Sequence, residues 1–224
     1  MIAPLGVVIP ALDAAATISR VVQETRSVLP HAVIMVVDDG SSDGTAELAR
    51  ASGATVLRFE RNRGKGAALR AGIAAAVARE VAAILTLDAD GQHDPVHGPA
   101  LLAALEHADI AIGCRARRGT AMPFRRRITN ALASSAVAHL AGTAVADSQS
   151  GFRAFRRRVA LEVQARGDRY EYETDFLIRA GRAGLRIVAV PISTLYGGRS
   201  HFRPLTDSVR IVQTLWRHRS EVRS

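Results

Sequence analysis

The sequence has one cysteine, one lysine and 4% aromatic residues in 224 positions, and each shortage excludes something. Cys114 alone rules out an internal disulfide framework and a multi-cysteine metal site. It agrees with a reducing compartment and reads as a small buried hydrophobe. No uninterrupted apolar run reaches the ~18 residues of a membrane span, and no signal-peptide pattern opens the chain. The expectation is a cytoplasmic protein that can sit peripherally on the inner membrane surface. Scarce aromatics, with no RNA- or DNA-reading motif, argue against a nucleic-acid module. Because Lys65 is the only lysine, the formal charge of +9 and the pI near 11.1 come almost wholly from arginine, which suits phosphates and other anionic partners.

What is present is length and apolar content. At 48% hydrophobic residues the chain can bury one sizeable core, and no linker, low-complexity tract or repeat divides it. Short apolar runs, "LGVVIP", "AVIMVV", "ATVLRF", "AAILTL" and "DIAIGC", alternate with Ala-rich segments of helical length. This alternation predicts an α/β fold with a mostly parallel central sheet flanked by helices. Helices are expected from Ile18 to Leu29, closed by Pro30, then from Gly64 to Arg79, Val96 to His107, Ile128 to Leu140 and Glu173 to Gly184. Further strands are expected in "SGFRAF" and "LRIVAVPI". In the C-terminal "LTDSVRIVQTLWRHRS", Val209, Val212, Leu215 and Trp216 recur at helical spacing among Arg210, Arg217, His218 and Arg219. Core packing is the favoured reading there and a membrane-surface helix the lesser one.

In open parallel sheets, ligands bind beyond the carboxyl ends of the strands, and those ends are rich in Asp, Gly and Arg. In "TLDADGQHDP", Asp88 and Asp90 follow a strand and can turn toward one cation where the chain bends at Gly91, with the Gln92 amide oxygen beside them. Hard divalent cations such as Mg²⁺ or Mn²⁺ take such oxygens and accept substrate phosphates as remaining ligands. Asp94 and Pro95 instead read as the cap and first residue of a helix, which Asp88 and Asp90 precede by too much to cap. In "VVDDGSSDGT", Asp43 or Thr45 can cap a helix from Ala46, but the adjacent pair Asp38 and Asp39 repel each other unless a cation or a donor, such as a base edge or ribose hydroxyl, meets them. Gly40 permits close approach there.

"RNRGKGAALRAG" is neither a dinucleotide fingerprint nor a P-loop: Leu69 fills the third glycine position and Gly66 follows Lys65. Its positive residues at a glycine-rich helix start suit phosphate or a neighbouring acidic pair. Arg115 at a strand end and Arg153 in the apolar "SGFRAF" are candidates for oriented phosphate contacts. In "YEYETD", charge at a helix start accounts for one or two of Glu171, Glu173 and Asp175, and a general base accounts for another only if it faces the site; for a hydroxyl acceptor, Glu173 or Asp175 would take the proton.

Taken in order, "VVIPALDAAATI", "VVDDGSSDGT", "NRGKGAALRAG", "LDADGQHDP", "DSQSGFRAFRR" and "YEYETD" resemble the motifs of the family 2 glycosyltransferases, from Val7 to about Arg203. The set is most similar to the dolichyl and polyprenyl phosphate sugar synthases and related bacterial proteins. The resemblance implies a GT-A fold, a Rossmann-like nucleotide-binding sandwich, in one domain spanning 1–224. Residues 1–115 would form the nucleotide-sugar half, 116–204 the acceptor half and 205–224 a C-terminal helix. It implies a metal-dependent inverting enzyme whose donor is a nucleoside diphosphate sugar. The acceptor is polyprenyl phosphate or a hydroxyl; a relative that binds nucleotide sugar without turnover is the alternative. By the same resemblance, Pro10, Leu12, Asp13, Asp38, Asp39, Gly40, Lys65, Asp88, Ala89 and Arg115 line the donor site. Asp88, Asp90 and Gln92 hold Mg²⁺ or Mn²⁺, and Arg127, Ser150, Arg153, His201 and Arg203 serve the acceptor or phosphates. Leu12, Asp13 and Ala14 replace the aromatic, Asn and Glu usual in the family.

Overall fold

The computed structural model describes residues 3–115, 124–193 and 204–221, with side chains for 3–115, 130–193 and 209–220. Along the chain come β1 (Leu5–Ala11), α1 (Ile18–Val28), β2 (Val33–Asp38), α2 (Thr45–Ala51), β3 (Thr55–Arg58), α3 (Lys65–Ala78) and β4 (Ala83–Thr86). A 3₁₀ turn (Pro95–His97) leads into α4 (Gly98–Ala104), followed by β5 (Ile110–Arg115), α5 (Phe124–Ala141), β6 (Arg153–Arg156), α6 (Arg157–Glu162), α7 (Glu171–Arg182), β7 (Ile187–Ile192) and α8 (Pro204–Glu221). Each apolar run picked out in the sequence contains a strand. They form one sheet in the order β3-β2-β1-β4-β6-β5-β7, parallel except for β6, which runs antiparallel to both β4 and β5.

The period-two alternation of the central strands divides the core between the two faces of the sheet. Val7, Ile9, Val36 and Leu85 pack on one face with α1 and α4, while Val8, Met35, Val37 and Ile84 pack on the other with α3 and α7. Helix α1 shows how the sequence makes each layer: Ile18, Val21, Val22 and Thr25 form its buried stripe, and each buried Ile or Val contributes about 1.5–3 kcal/mol. The turn after β4 is built as expected. Asp94 accepts a hydrogen bond from the Val96 N–H at 3.0 Å, with Pro95 next to it.

Two features depart from the sequence expectation. Helix α6 occupies Arg157–Glu162, a stretch outside the expected helices, and α2 begins at Thr45, where Asp43 accepts from the Thr45 N–H at 3.1 Å, rather than at Ala46. The antiparallel β6 matters most for function. Arg153 pairs in register with both Thr86 and Ile112, which brings residues 148–152 to the sheet edge where β1, β2, β4 and β5 all end.

Candidate active site

Along that edge, Lys65 stands at the first turn of α3, Asp88 just past β4 and Glu173 in the first turn of α7. The Lys65 ammonium lies 2.7 Å from Asp88 Oδ1 and 3.1 Å from Glu173 Oε2. The two helix starts meet because Gly66 lacks a side chain: a Cβ there would come within 2.6 Å of Tyr172 Cβ and 2.7 Å of the Arg169 carbonyl oxygen. The Ala67 N–H also donates to the Asp168 carbonyl at 3.0 Å. These contacts account for the glycines that flank Lys65 by close packing.

The electrostatics follow from burial and pairing. Burial works against the Lys65 charge, but Asp88 and Glu173 outweigh it and hold the ammonium form. Burial would raise Asp88, yet Lys65, aided by its hydrogen bond, holds that carboxyl below its ordinary range. Asp90 moves the other way, raised by burial and by the Asp88 charge. Its Oδ1 accepts only the Gln92 N–H of its own turn, at 2.9 Å, among the described residues. A cation between the two carboxylates would relieve that repulsion. The donor set fits a hard divalent ion held by two carboxylates, with other ligands drawn from water and substrate. Among the described residues no group of three or more His, Cys, Asp and Glu forms a complete cage.

Two supports of this centre are not among the expected site residues. His93 is buried, stacks on Phe152 at 5.4 Å between ring centroids, and has Nδ1 3.7 Å from Asp88 Oδ2. Asp147 takes the Arg115 guanidinium in a two-point grip, at 2.8 Å from Nε and 2.9 Å from Nη2. That grip fixes the cation at the end of β5. Gly151 completes the floor, since a Cβ there would sit 2.7 Å from both Asp88 carboxylate oxygens. Gly151→Ala is therefore expected to displace Asp88 and lower catalytic efficiency by about tenfold or more with little change in melting temperature, measured by an activity assay beside a thermal melt.

The other expected site residues separate into three groups. On the nucleotide side, Asp38 is fully buried at the end of β2; Oδ1 accepts from the Ser41 N–H at 3.0 Å, and Oδ2 lies 3.2 Å from Arg58 Nε without a hydrogen bond to it. Pro10, the last residue but one of β1, pairs with Val37, and Leu12 is half-buried. Asp13 is exposed at φ 45°, accepting from the Ser42 N–H at 3.0 Å. Ala89 is buried, its carbonyl accepting from Thr17 Oγ1 at 2.7 Å.

A second group holds structure. Asp39 is 3% exposed and accepts the N–H groups of Arg63 at 2.7 Å and Gly64 at 2.8 Å, so its carboxylate clamps a loop. Gly40 packs against that loop, where a Cβ would come within 2.7 Å of Asn62 N. Arg153, expected on a phosphate, is 3% exposed and donates to the carbonyls of Ser150, Glu173 and Ser148 at 2.8, 3.0 and 2.9 Å. Ser150 is likewise fully buried. Asp175, expected as a base, is fully buried on α7 against α8, where Arg179, Arg217 and His218 surround it. Third, His201 and Arg203 lie outside the described residues; Arg127 is in α5, and its side chain is outside them too.

The fold and the acidic pair at the end of β4 define a GT-A glycosyltransferase, an enzyme that moves sugars. The chain belongs to the family 2 glycosyltransferases, whose model, Glycosyl transferase family 2, matches residues 6–163. Among curated relatives it is similar to an undecaprenyl-phosphate mannosyltransferase of Micrococcus luteus, with 31% identity over 83% of this chain and 81% of that one. It is also similar to a polyprenol monophosphomannose synthase of Mycolicibacterium smegmatis, with 34% identity over 84% of this chain and 76% of that one. Among solved structures, glucosyl-3-phosphoglycerate synthase from Mycobacterium tuberculosis, in complex with Mn²⁺, uridine diphosphate and phosphoglyceric acid, superposes with a TM-score of 0.76. Identity is 27%, covering 96% of this chain and 78% of that one.

Proposed function

We propose that the protein is a divalent-metal-dependent inverting glycosyltransferase that moves a sugar from a nucleoside diphosphate sugar to polyprenyl phosphate at a membrane surface. The observation that carries this reading is the convergence of Asp88, Asp90 and Lys65 at one sheet edge, with both candidate bases already engaged. Glu173 is paired with Lys65, and Asp175 is buried in a separate ion cluster. A hydroxyl acceptor needs a group to take its proton, whereas a phosphate acceptor arrives as an anion. The relatives named for undecaprenyl phosphate and polyprenol support the same acceptor.

In this reading Asp38 meets the base, for which its Oδ2 remains an unsatisfied acceptor. Asp88 and Asp90, with Gln92, would hold Mg²⁺ or Mn²⁺, which when bound offsets the negative charge that develops on the departing diphosphate. Lys65 holds the carboxylates of Asp88 and Glu173 in place through its two ion pairs. Arg115, anchored by Asp147, is a preorganised cation for diphosphate oxygens, and such groups act without reorganising as charge develops. The bond from the anomeric carbon to the diphosphate breaks with its electron pair leaving on the nucleotide, and an acceptor phosphate oxygen bonds to that carbon from the opposite face.

The test is release of nucleoside diphosphate from a panel of nucleotide sugars, with Mn²⁺ or with chelator, and with polyprenyl phosphate, phosphoglycerate or no acceptor. Release that requires both Mn²⁺ and polyprenyl phosphate is the expected result. Release driven by phosphoglycerate alone would overturn the acceptor, and no release from any donor would overturn the reading as a whole.

A further inference from the structure

Helix α8 has two apolar faces, and the fold uses one. Ile211, Thr214 and His218 are buried and Leu215 is half-buried; α8 packs on α5 and α7. On the opposite side Val209, Val212 and Trp216 recur at spacings of three and four residues and are 55%, 55% and 72% exposed. Scattered exposed hydrophobes are ordinary, but three on one helix face, including the chain's only tryptophan, make a surface that water does not stabilise. Leu132 on α5 is also exposed. Arg210 and Arg219 are exposed on the same helix, Arg217 being tied to Asp175, and residues 209–220 contain no acid.

We propose that this face of α8 docks the protein on an anionic lipid bilayer, with Val209, Val212 and Trp216 entering the headgroup boundary and the flanking arginines meeting lipid phosphates. An apolar stripe with basic flanks is how a helix lies in a membrane interface, and tryptophan favours that depth. A second copy of the chain fits the surface less well. Self-pairing would oppose arginine to arginine, and three side chains fall far short of the roughly 800 Å² per partner of a stable interface. Helix α8 packs on α7, whose first turn carries Glu173 into the site, so the docked element is one helix away from the chemistry. That docking serves a lipid-borne acceptor rests on the function proposed above; docking itself does not.

Trp216 supplies its own probe. Its emission is recorded while vesicles of phosphatidylglycerol and phosphatidylcholine, or of phosphatidylcholine alone, are titrated into the full chain, with co-sedimentation alongside. The expected result is a blue shift with anionic vesicles that weakens with salt and is much smaller with phosphatidylcholine. Val209→Ser/Val212→Ser and, separately, Arg210→Glu/Arg219→Glu should each raise the half-saturating lipid concentration by about tenfold or more, with unchanged circular dichroism. No shift in the wild type, or a shift that both variants retain, would overturn the proposal. So would a shift that grows with protein concentration without vesicles, which would assign the face to a second copy. Turnover of detergent-dispersed polyprenyl phosphate without vesicle binding would sink this inference alone. Vesicle binding without turnover would sink the proposed function alone.

Discussion

Asp90→Asn is expected to lower kcat/KM by roughly 10²–10³-fold while leaving the protein at least as stable as the wild type. Asparagine keeps the volume of Asp90 and still accepts the Gln92 N–H, so the turn after β4 is retained. What it removes is charge. Burial and the neighbouring Asp88 raise the Asp90 carboxyl above its ordinary value, so ionised Asp90 opposes folding at neutral pH, and the neutral isostere relieves that opposition. Loss of activity together with a melting temperature that holds or rises marks a residue kept for function. A second readout separates cation binding from other roles. Mn²⁺ with nucleoside diphosphate should raise the wild-type melting temperature and leave that of the variant nearly unmoved. Full activity in Asp90→Asn, or an unchanged response to Mn²⁺, would remove Asp90 from the metal site.

The layers of the fold were legible because they are local patterns. Val7 and Ile9 alternate with Val8, the stripe of α1 has helical spacing, and Asp94 before Pro95 is a local cap signal. The position of β6 was not legible. "SGFRAF" reads as a strand, but its antiparallel insertion between β4 and β5 depends on contacts between distant segments. The site divides in the same way. Asp88 and Asp90 stand out in a basic chain, whereas Lys65 and Glu173 look like unrelated helix starts until Gly66 lets α3 and α7 touch. Asp147 did carry a signal, as the only acid between Asp109 and Glu162 in an arginine-rich stretch, and a lone acid there has a cation to meet. Arg153 misled because an arginine amid apolar residues suggests a phosphate. Backbone carbonyls of an irregular loop are an equally good partner, and here they take it.

Asp175 offers the second large effect, and its test separates a structural from a catalytic carboxylate. Its side chain is fully buried and accepts four hydrogen bonds, each at 2.7 Å, from the Arg166 N–H, Arg179, Arg217 and His218. Arg182 can only donate to His218 Nδ1, at 3.0 Å, so the His218 ring places its proton on Nε2 and points it at Asp175. Asp175→Asn would turn an amide N–H₂ toward one of these donors and leave two arginines around a neutral group. The expected cost is about 3 kcal/mol near neutral pH, toward the lower end for a broken buried pair because Arg217 is partly solvated. The sign of the pH dependence follows. Burial pushes Asp175 up, but His218, the Arg166 amide and Arg179 outweigh it and hold the carboxyl at about 2, against an ordinary 3.8. A depressed folded value means the stabilisation is complete above about pH 4 and disappears as pH falls through about 2. Urea melts of wild type and variant should therefore differ widely at neutral pH and converge in strong acid. At a temperature where both are folded, kcat/KM should stay within severalfold of wild type. A loss of more than about 10²-fold with an unchanged melt would instead make Asp175 the general base, and the acceptor a hydroxyl.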